Sequence, residues 1–188
     1  RYAKSRIINS IAKKENKDIL LISPNEEIAF KWYGYFDSIS NKNILYYPPS
    51  ENLPYASINK SKETEYTQLS VISKLIKDKK EDIKIIITTE RALQPHLINK
   101  KTFKDNIVTL VKGLELEIKE LTNKLVTLGY NKETLTSNEG TWSRRGGIID
   151  IYPVNNELPI RIEFFDNIID KIREYDPVTQ RTLENINK

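Results

Sequence analysis

The chain has 188 residues, 38% hydrophobic and 30% charged, the balance of a globular protein with material for one large domain or two small ones. It contains no cysteine, which excludes disulfides and thiolate metal sites, and its one histidine, His96, excludes a histidine-built metal site or triad from this chain alone. No apolar run reaches membrane-spanning length, and no signal-peptide pattern is present. The net charge of +4 is uneven: residues 106–188 hold 11 Lys and Arg against 13 Asp and Glu, net −2, which leaves +6 on residues 1–105. That excess supports weak attraction to a phosphate backbone, although lysines of this kind are first of all solvated surface. The lack of methionine and the start at Arg1 suggest a piece of a longer polypeptide.

Tyr2, Ile7, Ile8 and Ile11 recur at helical spacing, so residues 2–15 are expected to form a helix. Asp18-Ile19-Leu20-Leu21-Ile22-Ser23 is a short apolar run and reads as a buried strand. Ser23-Pro24-Asn25 with the acids Glu26 and Glu27 starts a helix that runs to about Ser38. Its Ile28, Phe30, Trp32, Tyr33 and Phe36 are expected in the core. Asn43–Tyr47 is a second strand, stopped by Pro48-Pro49, and Ser50-Glu51-Asn52-Leu53-Pro54-Tyr55 is a loop. An amphipathic helix covers about 62–78. After Lys79-Lys80-Glu81, residues 83–89 form a third strand, and Thr89 caps a short helix. His96 follows Pro95 and is expected to be a capping or surface residue. This alternation predicts a parallel sheet with helices on both faces over residues 1–98.

The pattern then changes, across a polar, lysine-rich stretch from Asn99 to Asp105. Ile107–Val111 reads as a strand ending at Gly113, and 114–129 as a helix closed by Gly129. Only strand signals follow, over 134–145, 147–152, 158–165 and 168–175, with a turn at Asp176-Pro177 and a returning strand at 181–186. The fold class expected is therefore α/β followed by α+β.

Phosphate chemistry has no support, since neither a Gly-x-x-x-x-Gly-Lys-Ser/Thr nor a Gly-x-Gly-x-x-Gly motif occurs. Gly146-Gly147 lacks a following helix and reads as a bulge or a close backbone approach. Asp166, Asp170, Glu174 and Asp176 lie at strand ends and turns, and their spacing does not make a metal or acid–base set. Ser137 and Ser143 have no base to activate them, and Arg144 and Arg145, which could bind phosphate, a carboxylate or only water, are expected on the surface. The strand 158–165 is more informative. Ile160, Ile162 and Phe164 share one face, while Arg161, Glu163 and Phe165 share the other. Arg161 and Phe165 stand roughly 13 Å apart along it. On pattern alone this is first of all an ordinary solvated strand face with Phe165 partly covered by a neighbour, since single exposed apolar residues are common. The same mixture of a cation, an anion and an aromatic ring also suits a protein contact surface, because arginine and aromatics are enriched at interface centres.

Three ordered stretches, Arg145–Pro153, Glu157–Phe165 and Asp176–Leu183, resemble the UvrB homology module of the bacterial transcription-repair coupling factors, the Mfd family. Leu53-Pro54-Tyr55, Glu63–Leu75 and Ile83–Leu93 extend the likeness to essentially the whole chain. UvrB itself fits less well, because residues 47–63 are too few for its aromatic hairpin insertion. The resemblance implies that residues 1–98 are domain 1, an incomplete helicase-like fold without working ATPase machinery. It implies that 99–179 are domain 2, which docks onto UvrA, and that 180–188 start a return to domain 1. It carries over UvrA contacts to Arg145, Arg161 and Phe165; Glu163 joins them on strand geometry alone. The implied role is non-catalytic, without cofactor, in the bacterial cytoplasm. RNA polymerase and DNA would be engaged only through other domains of the full-length family proteins. A UvrB-type DNA-binding or helicase fragment is the alternative. A scaffold whose Arg161/Phe165 face packs within its own full-length chain is a third, and the resemblance implies that this face is masked in the resting family protein.

Overall fold

The computed structural model describes residues 2–39, 43–50, 62–77, 83–94 and 97–186. It divides into two compact units, Arg1–Lys100 and Lys101–Lys188. The loop over Asn52-Leu53-Pro54-Tyr55, the Lys79-Lys80-Glu81 lead and His96 lie outside the described residues.

The first unit runs α1 (Tyr2–Glu15), β1 (Ile19–Ser23), α2 (Glu26–Asp37), β2 (Ile44–Tyr47), α3 (Glu63–Lys77), β3 (Ile85–Thr89) and α4 (Glu90–Leu93). Its three strands are parallel, in the order β1-β3-β2. The central strand is apolar on both sides. Ile85 and Ile87 meet Ala29 and Phe36 of α2, whereas Ile86 packs with Leu45, Tyr47, Val71 and Ala92 on the other face. Helices therefore cover both faces, as a parallel sheet requires. The helix starts follow local chemistry: Asn25 Oδ1 accepts from the Ile28 N–H at 2.9 Å, and Thr89 Oγ1 accepts from the Ala92 N–H at 3.2 Å.

Two expectations fail here. β1 is not buried but lies at the sheet edge, so its residues alternate, and Leu20 and Ile22 are each 54% exposed. Phe30 of α2, expected in the core, is 56% exposed, its ring tilted against that of Tyr46 with centroids 4.6 Å apart. In α1, formed as expected, the inward stripe is built of small residues. Ser5 and Ala12 are buried, with Ile8 partly so, while Ile7 and Ile11 face out.

The second unit contains α6 (Ile118–Thr127) and six strands: β4 (Asn131–Lys132), β5 (Thr141–Arg145), β6 (Ile148–Tyr152), β7 (Ile160–Phe165), β8 (Ile168–Tyr175) and β9 (Thr182–Ile186). They pair in chain order, antiparallel except for the short parallel β4–β5 pair. Leu121 and Leu125 of α6 cover one sheet face, packing on Trp142, Ile149, Ile151, Ile160, Ile162, Ile169 and Ile172. Gly129, at φ 83°, takes the left-handed position that ends α6.

The lysine-rich junction holds a short helix, α5 (Lys100–Asp105), from a stretch with no glycine or proline. Three local expectations are corrected. Ile107–Val111 forms no strand despite its β-branched residues, since no sheet strand pairs with it. The helix starts at Ile118 rather than at 114, because residues 113–116 lie extended along the start of β8. The Gly113 N–H donates to the Ile169 carbonyl (2.8 Å), the Ile169 N–H to the Leu114 carbonyl (3.0 Å) and the Leu116 N–H to the Asn167 carbonyl (2.7 Å). Leu114 and Leu116 thereby pack onto the core without helical backbone. Likewise, residues 134–140 are loop, and the strand begins only at Thr141.

Candidate functional site

The face of the second sheet opposite α6 carries the polar residues of β5 to β9. Its register is set by the β5–β6 hairpin, whose last pair is Arg145 with Ile148. Gly146 and Gly147 make the two-residue turn. Gly146 sits at φ 59°, which an L side chain tolerates poorly. Gly147 lies against β7: a Cβ there would be 3.2 Å from the Phe164 carbonyl oxygen, and the Phe164 N–H donates to the Gly147 carbonyl at 2.9 Å.

With this register, side chains line up in rows across the strands. One row reads Ser143, Asp150, Arg161, Arg173 and Asn185 from β5 to β9. The next row places Arg145 beside Ile148, Glu163 and Lys171, and Phe165 pairs with Ile168 at the β7–β8 tip. Arg161 and Arg173 thus stand directly opposite each other, which is unfavourable for like charges. Two carboxylates offset it, one beside each arginine.

Asp150 is the first, and its side chain is 1% exposed. The Arg161 Nε donates to its Oδ1 at 2.7 Å and Arg161 Nη2 to its Oδ2 at 3.0 Å, a bidentate fork. Arg145 Nη2 donates to the same Oδ2 at 2.9 Å. One buried carboxylate therefore holds two guanidinium groups, satisfying the burial rule for charge. Glu163 is the second; Arg173 Nη2 lies 2.9 Å from its Oε1, with both side chains 26% exposed. The bond to Asp150 raises the Arg161 pKa, with burial opposing it.

Further groups secure Arg161. Its guanidinium carbon lies 4.6 Å from the centroid of the Tyr175 ring, a cation–π contact. The Tyr175 hydroxyl donates to the Thr136 carbonyl at 3.2 Å, and the Thr136 hydroxyl to Ser143 Oγ at 3.0 Å. Burial, with the Asp150 charge adding to it, pushes the Tyr175 pKa up to about 12. From the β8–β9 connection, Gln180 Oε1 accepts from Arg161 Nη2 at 3.2 Å. Asp176 shapes that connection, accepting from the N–H groups of Val178 (3.0 Å) and Thr179 (2.6 Å). The Thr179 N–H and hydroxyl, with the Val178 N–H, hold the Asp176 carboxyl below its usual pKa.

The four residues singled out from sequence all lie on this face, in distinct environments. Arg161 is 16% exposed and its fork is occupied within the fold, whereas Arg145 is 56% exposed and held by one nitrogen. Glu163 pairs with Arg173 rather than orienting Arg161. Phe165 is 74% exposed, next to Ile168 at 46%. Asp150 was not among the expected residues, although a lone carboxylate in the run Ile148-Ile149-Asp150-Ile151-Tyr152 marks it. Strand alternation puts it opposite the core, and the adjoining Gly-Gly turn sets which strand it faces. Among the described residues Asp166, Asp170, Glu174 and Asp176 join no group of three or more metal-ligating side chains. Arg144 Nε donates to the Gly146 carbonyl at 3.0 Å, and Ser143 is buried beneath Thr136. The face thus offers an anchored cation and an open aromatic ring, the means of binding a protein surface.

The sequence profile of the UvrB interaction domain matches residues 108–188. Over 98% of its length the chain is 34% identical to a transcription-repair-coupling factor of Staphylococcus haemolyticus and 31% identical to that of Bacillus subtilis. Over 95% of its length it is 27% identical to that of Haemophilus influenzae. The chain spans 15–16% of the length of these relatives.

Proposed function

The chain belongs to the transcription-repair-coupling factor family, with a UvrB interaction domain over residues 108–188, and on that premise we propose that its second sheet docks UvrA. The role is non-catalytic recruitment of nucleotide excision repair in the bacterial cytoplasm. RNA polymerase and DNA are engaged by other parts of the full-length protein. Residues 1–98 serve as an incomplete helicase-like domain 1, residues 99–179 as the UvrA-binding domain 2, and residues 180–188 as the start of a return to domain 1. The observation that carries the reading is Phe165: a phenylalanine 74% exposed at the end of the strand that holds Arg161. Exposed single apolar residues are common. Here the ring adjoins a second exposed apolar side chain, Ile168, and shares its face with Arg145, which suits a desolvating anchor beside a charged contact.

Phe165 fills an apolar socket on UvrA, and Arg145 meets a carboxylate at its rim. Arg161 and Glu163 complete the contact from within the sheet. Calorimetric titration into UvrA tests this. Phe165→Ala is expected to weaken binding by about 2–4 kcal/mol, with its melting temperature close to that of the parent. An Arg161→Ala variant is a poorer probe, because it also unpairs a buried carboxylate. Equal binding by parent and Phe165→Ala moves the contact off β7, and no binding by the folded parent ends the recruitment reading for this chain.

A further inference from the structure

We infer that Asp150 is a positioning residue for the UvrA contact: its buried carboxylate sets the direction in which Arg145 presents its free guanidinium edge. The inference rests on the docking reading above. Arg145 is a long side chain at the end of β5, 56% exposed, and such a side chain samples many rotamers in water. Its Nη2 is tied at 2.9 Å to Asp150 Oδ2, an acceptor itself 1% exposed. With one nitrogen tied to a buried acceptor, fewer rotamers of the guanidinium remain open, and its other donors are left on the exposed side.

Asp150 cannot swing away to release Arg145. Its Oδ1 and Oδ2 already accept the Arg161 fork, and Arg161 is braced by the Tyr175 ring and by Gln180. The orientation of an exposed arginine is thus inherited from a buried cluster. The Asp176–Gln180 turn belongs to the same device: Gln180, at φ 60°, donates to the Pro177 carbonyl at 2.9 Å while its Oε1 holds Arg161. A contact ordered before binding loses less rotamer freedom on binding.

The test is a double-variant cycle on the 188-residue chain titrated into UvrA, with Asp150→Asn, Arg145→Gln and both together. Asparagine keeps the shape and one acceptor oxygen but removes the charge. Asp150→Asn alone is expected to weaken binding about tenfold. Combined with Arg145→Gln, the two losses should be sub-additive by at least about threefold, because once the Arg145 guanidinium is gone, loss of the carboxylate no longer misorients it. A general loss of fold quality would not depend on residue 145. Full additivity, or unchanged binding by Asp150→Asn, overturns the inference while leaving the docking reading intact; absence of binding by the parent removes both. Should Asp150→Asn fail to fold, NMR on the parent decides. Hindered rotation of the Arg145 guanidinium supports positioning, and a freely rotating Arg145 guanidinium rules it out.

Discussion

Asp150 is 1% exposed and takes unequal shares of its hydrogen bonds from Arg161 and Arg145, so the two arginines are not equivalent to the fold. Arg161 supplies two of the three bonds to Asp150 and is itself mostly buried, so Arg161→Ala should destabilise the second unit by about 3 kcal/mol in urea unfolding. Arg145→Ala removes one bond from an exposed side chain and should cost less than about 1 kcal/mol. Tyr175 adds a pH signature. Its pKa in the fold is about 12, above the ordinary value of 10.0. The neutral form is therefore favoured by folding, and its contribution is complete below pH 10.0 and lost as pH rises toward 12. Compared with Tyr175→Phe, the parent should lose about 2–3 kcal/mol of unfolding free energy across that window. Equal alkaline slopes for the two proteins would contradict this assignment. Arg161, Glu163 and Phe165 were legible as one face because a strand's alternation needs no knowledge of its neighbours. Asp150 was not, because its partner lies 11 positions away and the pairing depends on register.

At the level of elements, turn chemistry was the most transferable signal. The paired glycines were read as a bulge or a close backbone approach; the second holds, since Gly147 faces the Phe164 carbonyl, and the pair forms a hairpin turn rather than a bulge. Gly147→Ala should cost about 1–2 kcal/mol, since it is backbone rather than a flexible side chain that must give way. The helix start at Ser23–Glu27, the cap at Thr89 and the stop at Gly129 came through for the same reason: each is decided by neighbours in the chain. What failed depended on distant pairing. Ile107–Val111 has strand composition but no strand beside it, and residues 114–116 have helical spacing but bond to the start of β8. β1 was read as buried because continuous apolar runs usually sit mid-sheet, whereas β3 takes that place. Leu20→Gln on this edge strand should leave unfolding free energy within about 0.5 kcal/mol of the parent, because the side chain is already more than half in water.

Across the whole molecule, the type of each sheet followed from the order of elements. Helices between strands made the three-stranded sheet parallel, and consecutive strands made most of the six-stranded sheet antiparallel. Which faces stay open was not legible, since that depends on packing. The 2.9 Å bond from the Phe164 N–H to the Gly147 carbonyl has a further consequence. It ties the β5–β6 turn to the residue just before Phe165, so Arg145 and Phe165 stand on one hydrogen-bonded framework. On the docking reading, a partner would meet a surface already ordered on this side. In stopped-flow mixing with UvrA, the observed rate should climb linearly with UvrA concentration and show no plateau. A plateau would mean that a slow rearrangement limits capture, and the tie between turn and strand would then have to open first.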